Sequence, residues 1–253
     1  RNRTRDWNYG DYDYEVDYEY EWAARVQCFA TNRRCASSHS FLKSGLRGCK
    51  LPCMAGFVRE PAVAGMFYPD QPEELAGMLR DYLMEAPGPE GPPPKAVIAP
   101  HAGYIYSGPV AASVYKAVVT LRERIRRVVL MGPSHRVPFQ GVALSGADAF
   151  RTPLGSVPVD ADAVSALAGL PYAAVNDTAH RDEHSLEVQI PFLQSVLPDF
   201  SLVPILTCMT SPSESAGALG VLEQIKGASI HFAVVVDEYG TVEGIVTASD
   251  ILS

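Results

Sequence analysis

Two short apolar runs set the pattern of this chain. Ala96-Val97-Ile98-Ala99 closes on Pro100-His101, and Val128-Val129-Leu130-Met131-Gly132 closes on Pro133-Ser134-His135. Each run is continuous and rich in β-branched residues, the mark of a strand buried on both faces. Between them Ala112, Tyr115, Val118 and Val119 recur at spacings of three and four, which predicts a helix, and Pro109 suits its first turn. The three segments read as a strand-helix-strand unit, and a right-handed crossover makes its two strands parallel. Each histidine then lies just past the carboxyl end of its strand, where open parallel sheets gather ligands. Two imidazoles delivered to one sheet edge are candidates for a metal site or for acid-base chemistry.

The same reading extends along the chain. Leu75, Met78, Leu79 and Tyr82 form the apolar stripe of a helix that starts at Asp70 or Gln71 and runs to Glu85, with Pro72, Glu73 and Glu74 in its first turn. Residues 86–94 are a Pro/Gly loop. Val142 to Ser145 is a short strand, and Phe150 to Val159, with Pro153, Gly155 and Pro158, reads as a turn-rich excursion. Asp160 caps a helix to Leu167. Leu186, Ile190, Leu193 and Leu197 mark the face of a further helix, and Pro191 limits how far upstream it is regular. Phe200 to Leu206 is a strand that Pro204 places at an edge or makes irregular. A helix over 214–226, a strand over 231–236, a turn at 237–240 and a strand over 242–247 complete the reading. The expected fold is α/β, with a central, mostly parallel sheet flanked by helices.

Composition narrows the function. Hydrophobic residues make up 47% and charged residues 20% of the 253 positions, as in an ordinary globular protein. A net charge of −8 gives no electrostatic support to nucleic-acid binding. No apolar run is long enough for a membrane helix, and no apolar signal segment opens the chain, so the expected location is cytoplasmic, with no membrane partner. Residues 1–53 differ from the rest. From Asp11 to Trp22 acids alternate with aromatic or apolar residues, which would line one strand face with like charge; a disordered tail is expected there. Met54 opens a coherent domain and reads as an initiator that has been read through. Of the five cysteines, Cys28, Cys35, Cys49 and Cys53 have no zinc-finger spacing, and Cys208 stands apart from them.

Beside His101 and His135, the chemistry-bearing residues are Tyr104, Tyr106 and Ser107, close behind His101, and the polar cluster His180-Arg181-Asp182-Glu183-His184-Ser185-Leu186-Glu187. In the first turn of the following helix, His184 and Glu187 would share a side. Tyr104, His184 and Glu187 are the catalytic candidates, with His184 as acid, base or pocket donor. His180 is expected at the surface. A serine hydrolase using Ser134 or Ser185 lacks the G-x-S-x-G setting.

These residues carry a resemblance. Pro61 to Pro69, Pro100 to Pro109, Gly132-Pro-Ser-His135, Gly141 to Gly146, Thr152-Pro-Leu-Gly155, Asp182 to Glu187 and Leu202-Val-Pro-Ile205 occur in the order seen in the Memo family, which includes the AmmeMemoRadiSam system protein B. The chain resembles that family over 57–208 and is expected to form an incomplete Memo-like domain over 54–208. The resemblance implies a fold like the class III extradiol dioxygenases. It implies metal ligation by His101 and His135, with iron or copper as the metal, and with His184 nearby. It also implies AMMECR1-like and radical SAM partner proteins. The family's later Ser-Ser-Asp motif, followed by a cysteine or histidine that completes the site, is not found after Leu206, and Cys208 does not match it. The domain is therefore expected to be truncated, with an open sheet edge.

Residues 209–253 resemble something else. Leu222 to Lys226 and His231 to Leu252 are similar to the second part of a CBS motif of hemolysin/CorC-type proteins, a small βαβ-type fragment. That resemblance implies adenine-nucleotide contacts from Thr247 and Asp250. The chain thus reads as a fusion. The leading expectation is a metal-binding protein that acts as a non-haem oxidoreductase of dioxygenase-like type. The alternatives are a non-enzymatic module for a peptide or small ligand, and an adenine-nucleotide sensor.

Overall fold

The computed structural model describes residues 56–89, 91–211, Ser213, Gly217 and Ala218, and the backbone of Phe232–Val235. The tail over 1–53, the four cysteines in it, and most of the CBS-like segment, including Thr247 and Asp250, lie outside these residues.

A six-stranded sheet organises the domain. Its strands are β2 (Ala96–Ile98), β3 (Arg127–Pro133), β4 (Gly141–Leu144), β7 (Ala173–Val175), β8 (Ser201–Cys208) and β9 (Phe232–Val235), in the order β2-β9-β3-β8-β4-β7. Every pairing is parallel except β4 with β8. Period-two alternation gives the sheet two apolar faces. Val128, Leu130, Ala143, Leu202 and Leu206 face one cluster, and Val129, Met131, Val142, Leu144, Val203 and Ile205 face the other. Three helices, α1 (Pro72–Glu85), α2 (Tyr104–Val119) and α5 (Ile190–Val196), supply Leu75, Leu79, Tyr115 and Leu193 to the first cluster. A fourth, α3 (Ala161–Leu167), supplies Ala163, Val164 and Leu167 to the second. The Asp160 side chain accepts from Ala163 N at 2.9 Å and caps that helix as its sequence position indicates.

Four local expectations are corrected. The unit β2-α2-β3 is parallel as expected, with β9 between its strands, pairing Ala96 with Ala233 and Val128 with Phe232, but β2 is not buried on both faces, since Ala96 and Ile98 are exposed. The segment read as CBS-like thus contributes a strand to the main sheet. Helix α2 starts at Tyr104, so Pro109 is inside it rather than in its first turn. The carbonyl four residues back belongs to Ile105, an exposed residue, so the missing N–H is lost on a wetted face. Residues 149–158 form a hairpin, β5 (Ala149–Thr152) and β6 (Gly155–Pro158), joined to β1 (Val58–Arg59) in a three-stranded sheet. Pro153 and Leu154 make the two-residue turn, and Gly155 takes the positive φ of 120° that closes it.

Finally, Pro204 lies in a central strand. Leu202 O accepts from Asp160 N and Thr207 O from Ser134 N, so the even-numbered residues of β8 turn their backbone polar groups away from β3. On that side β4 begins pairing only at Ile205, and Pro204 falls in the gap before it, where no ladder bond needs its N–H.

Helix α2 carries the first histidine's loop, and its seat is set by a close approach. A Cβ on Gly108 would lie 2.3 Å from Tyr82 Cε2, so only glycine admits the α1 ring there. The Tyr82 hydroxyl donates to Tyr104 O at 3.2 Å, and Tyr104 N donates to Phe67 O at 2.7 Å.

Candidate metal centre

Three histidines converge at the carboxyl edge of the sheet. His101 follows β2, His135 follows β3, and His184 lies between α4 (Asp177–Arg181) and a 3-10 turn, Glu187–Gln189. The ring centroids of His101 and His135 are 5.1 Å apart, those of His135 and His184 are 4.5 Å apart and stacked, and those of His101 and His184 are 5.7 Å apart. One ring nitrogen from each lies within 4.8 Å of the others. Imidazole nitrogens sharing an ion at about 2.1 Å stand roughly 3.0–3.4 Å from one another, so small side-chain rotations bring the set to bonding distance.

The chain around each ring is held from behind. Gln189 donates to Pro100 O at 3.0 Å and accepts from the Tyr115 hydroxyl at 2.8 Å, which fixes the chain entering His101. His135 and His184 share one carboxylate. Glu183 accepts from His135 N at 2.6 Å and lies 2.8 Å from His135 Nδ1; it also accepts from His184 N at 2.8 Å and Ser185 N at 3.0 Å. A neutral imidazole that gives its Nδ1–H to a carboxylate presents Nε2 for ligation. Burial alone would raise the pKa of Glu183; the bonds from the His135 ring, His135 N and Ser185 N overcome it and hold the group down to about 2, so it stays an anion. Burial lowers the pKa of His184, with the neighbouring His135 and Arg136 acting in the same direction against Glu183. A lowered pKa keeps the imidazole neutral, the form that binds metals. Its Nδ1 is buried, 3.3 Å from Glu183 Oε1, and has no hydrogen-bond partner. Three imidazole donors, one of them with an unpartnered buried ring nitrogen, fit a transition metal, and imidazole suits iron, copper and zinc alike.

The other candidates are placed differently. Glu187 does not share a side with His184. It is fully buried and bonded to Arg59, the Tyr68 hydroxyl, Ala62 N and Val63 N. Tyr104 is buried with its hydroxyl donating to Val188 O at 2.6 Å, and burial raises its pKa far above the usual range. Tyr106 is exposed, and Ser107 Oγ donates to Ala102 O at 2.8 Å. Cys208 ends β8 and is not in the histidine group. Two residues that matter were missed. In the sequence Glu183 is one acid in a polar run, and its place next to His184 is the signal that could have found it. Arg59 gave a fainter one, as a lone cation in an apolar entry segment.

His180 is buried at 2% exposure, not at the surface, because α4 lays it against β4 with Nε2 3.1 Å from Ala143 O and its ring edge-on to Phe150. Burial pushes its pKa down to about 4, with Arg59 adding to the effect against the bond to Ala143. The unfolded chain therefore takes up this proton first, so the stability tied to neutral His180 is whole above its ordinary value of 6.5 and lost as pH falls to about 4. The wild type is expected to lose ~3 kcal/mol more than His180→Gln across that window, from urea unfolding at each pH. Parallel curves for the two proteins would show that this ring does not drive the acid loss.

The chain matches the family described as "Memo-like protein" over residues 59–237, beyond the point at which the sequence reading ended that domain. It is 45% identical over 150 residues to a MEMO1 family protein of Aquifex aeolicus, a match covering 59% of this chain and 54% of the relative. It is 41% identical over 167 residues to one of Thermotoga neapolitana, covering 62% and 60%, and 42% identical over 168 residues to one of Archaeoglobus fulgidus, covering 66% and 60%. The chain thus spans 54% to 60% of the length of these relatives. Among the described residues no helix is long and apolar enough to cross a membrane. The chain belongs to the Memo family.

Proposed function

We propose that this Memo-family chain holds one transition metal on His101, His135 and His184 and works as a metal-dependent oxidoreductase of the class III extradiol dioxygenase type. The observation that carries the reading is the convergence of three ring nitrogens within 4.8 Å, with one carboxylate bonded to the His135 ring and to His184 N. A bound iron or copper supplies a redox-active centre with coordination positions left over for a small substrate. The chain's own residues aim the rings: Glu183 meets His135 Nδ1 and His184 N, and Gln189 holds Pro100. Glu187 and Tyr104, committed to Arg59, Tyr68 and Val188, anchor the elements behind the ligands. Assignment as AmmeMemoRadiSam system protein B, with AMMECR1-like and radical SAM partner proteins and a cytoplasmic setting, rests on motif resemblance. Thr247 and Asp250, the adenine-nucleotide candidates, lie beyond the family match and have no support as a nucleotide site.

The test is metal uptake. The purified protein is expected to bind Fe²⁺ or Cu²⁺, and His101→Ala, His135→Ala and His184→Ala are each expected to weaken binding by at least about tenfold, measured by elemental analysis and calorimetry. Unchanged metal content in the His101 and His135 variants would leave the second reading, a module that binds a peptide or small ligand. That reading draws on Met66, Ile105 and Tyr106, large apolar side chains exposed next to Phe67 and Tyr104; the Phe67 ring packs 4.8 Å from that of His184.

A further inference from the structure

We infer that Arg59 is a positioning residue for the metal centre: its guanidinium clamps the loop of residues 180–187 and thereby sets where Glu183 and His184 meet His101 and His135. The inference rests on the metal reading above and concerns a residue outside the three ligands.

Arg59 is on β1, in register with Phe150 of β5, and is buried. From that fixed strand it reaches three points along the loop. Nε donates to His180 O at 3.0 Å, Nη2 donates to Glu183 O at 2.6 Å, and Nη1 pairs with the Glu187 carboxylate. The Phe150 ring lies under the cation, its centroid 5.5 Å from Cζ, which orients the fork.

The loop needs such a clamp because no strand pairing holds it. Its backbone bonds are local: Asp182 N and, at 3.5 Å, Glu183 N to His180 O, Val188 N to His184 O and Gln189 N to Leu186 O. Between those turns its path is set by side chains: Arg59 on one side, and on the other Ser185 Oγ, which donates to Pro133 O at 2.8 Å, and the Glu183 carboxylate, which meets His135 N and the His135 ring. The two carbonyls that Arg59 grips bracket the turn that leads into Glu183, and His184 follows the second of them directly. A lysine would supply one compact charge in place of a fork that bonds in three directions.

The experiment compares wild type, Arg59→Lys and Tyr68→Phe by calorimetric titration with Zn²⁺, electron paramagnetic resonance of the Cu²⁺-loaded protein, and urea unfolding. Arg59→Lys keeps a cation against Glu187 but gives up the carbonyls. It is expected to bind Zn²⁺ about 10–100-fold more weakly and to give an altered Cu²⁺ spectrum. Tyr68→Phe removes a bond to the other Glu187 oxygen but leaves the His180 and Glu183 carbonyls in the grip of Arg59; it is expected to lower stability and leave metal affinity unchanged.

Wild-type affinity and spectrum in Arg59→Lys overturn the clamp while the metal site stands. Equal losses of affinity in Arg59→Lys and Tyr68→Phe overturn it too, by reducing the effect to general destabilisation. No binding by the wild type removes the metal reading, and the clamp with it. Should Arg59→Lys fail to fold, Phe150→Leu decides, because it leaves every hydrogen-bond partner of Arg59 in place but removes the ring that aims the fork. Weaker Zn²⁺ binding there supports the clamp, and unchanged binding overturns it.

Discussion

Replacing Glu187 with leucine is expected to lower the unfolding free energy by about 3–5 kcal/mol. The carboxylate is fully buried and answers four donors: the Arg59 guanidinium, the Tyr68 hydroxyl, Ala62 N and Val63 N. Leucine fills similar space but leaves a buried cation without its counter-charge and strands the other donors. Tyr68 cannot relieve this by ionising. Burial first, and the charge of Glu187 second, raise its pKa far beyond the working range, so it remains a donor in need of an acceptor. Replacing both members of the pair, Arg59→Met with Glu187→Leu, is expected to recover part of the loss, since two apolar groups carry no unpaired charge. Urea unfolding at neutral pH followed by circular dichroism measures each. A loss below about 1 kcal/mol in the single variant would mean that solvent or a rearranged neighbour takes over from the carboxylate.

The second large effect is expected at Glu183. Alanine there leaves His135 N, the His135 ring, His184 N and Ser185 N without their shared acceptor. A loss of about 3 kcal/mol follows if the orphaned donors are only partly rehydrated. Metal affinity should fall by about 10–100-fold, because the His135 ring loses the group that turns it. Glutamine is no remedy: its amide nitrogen is a donor set among donors. Calorimetric metal titration alongside urea unfolding separates the two losses. Full affinity in Glu183→Gln would show that the imidazoles are aimed by packing rather than by this carboxylate.

The readable part of the fold was the part governed by local pattern. The run ending in His135 is a strand covered on two faces, as several apolar residues in a row require, whereas the run ending in His101 is a strand that leaves Ala96 and Ile98 exposed; the helix after Asp160 begins where its cap stands. Convergence of the first two histidines followed from one crossover rule. What was not legible depends on partners distant in the chain. His180 looked like a surface residue because its neighbours are charged; only the contact between α4 and β4 buries it. Glu187 looked like a partner of His184 because helical spacing puts such residues together. The tight turn from 187 to 189 and the pull of Arg59, from the far end of the domain, send it the other way. Pro204 argued for an edge, and only the point at which β4 begins shows why a central strand accepts it. The place of β9 was hidden for the same reason, since nothing near residue 232 indicates that it pairs with Ala96 and Val128.

That last pairing governs when the site is assembled during synthesis. Among the described residues β2 has β9 as its only strand neighbour, so the edge that delivers His101 has nothing to zip onto until Phe232–Val235 has left the ribosome. His135 and its strand can settle earlier, against β8. A nascent chain halted before residue 232 would carry every imidazole of the triad and still lack the seam that draws the first of them in, and its unpaired sheet edges would lie open to other chains meanwhile.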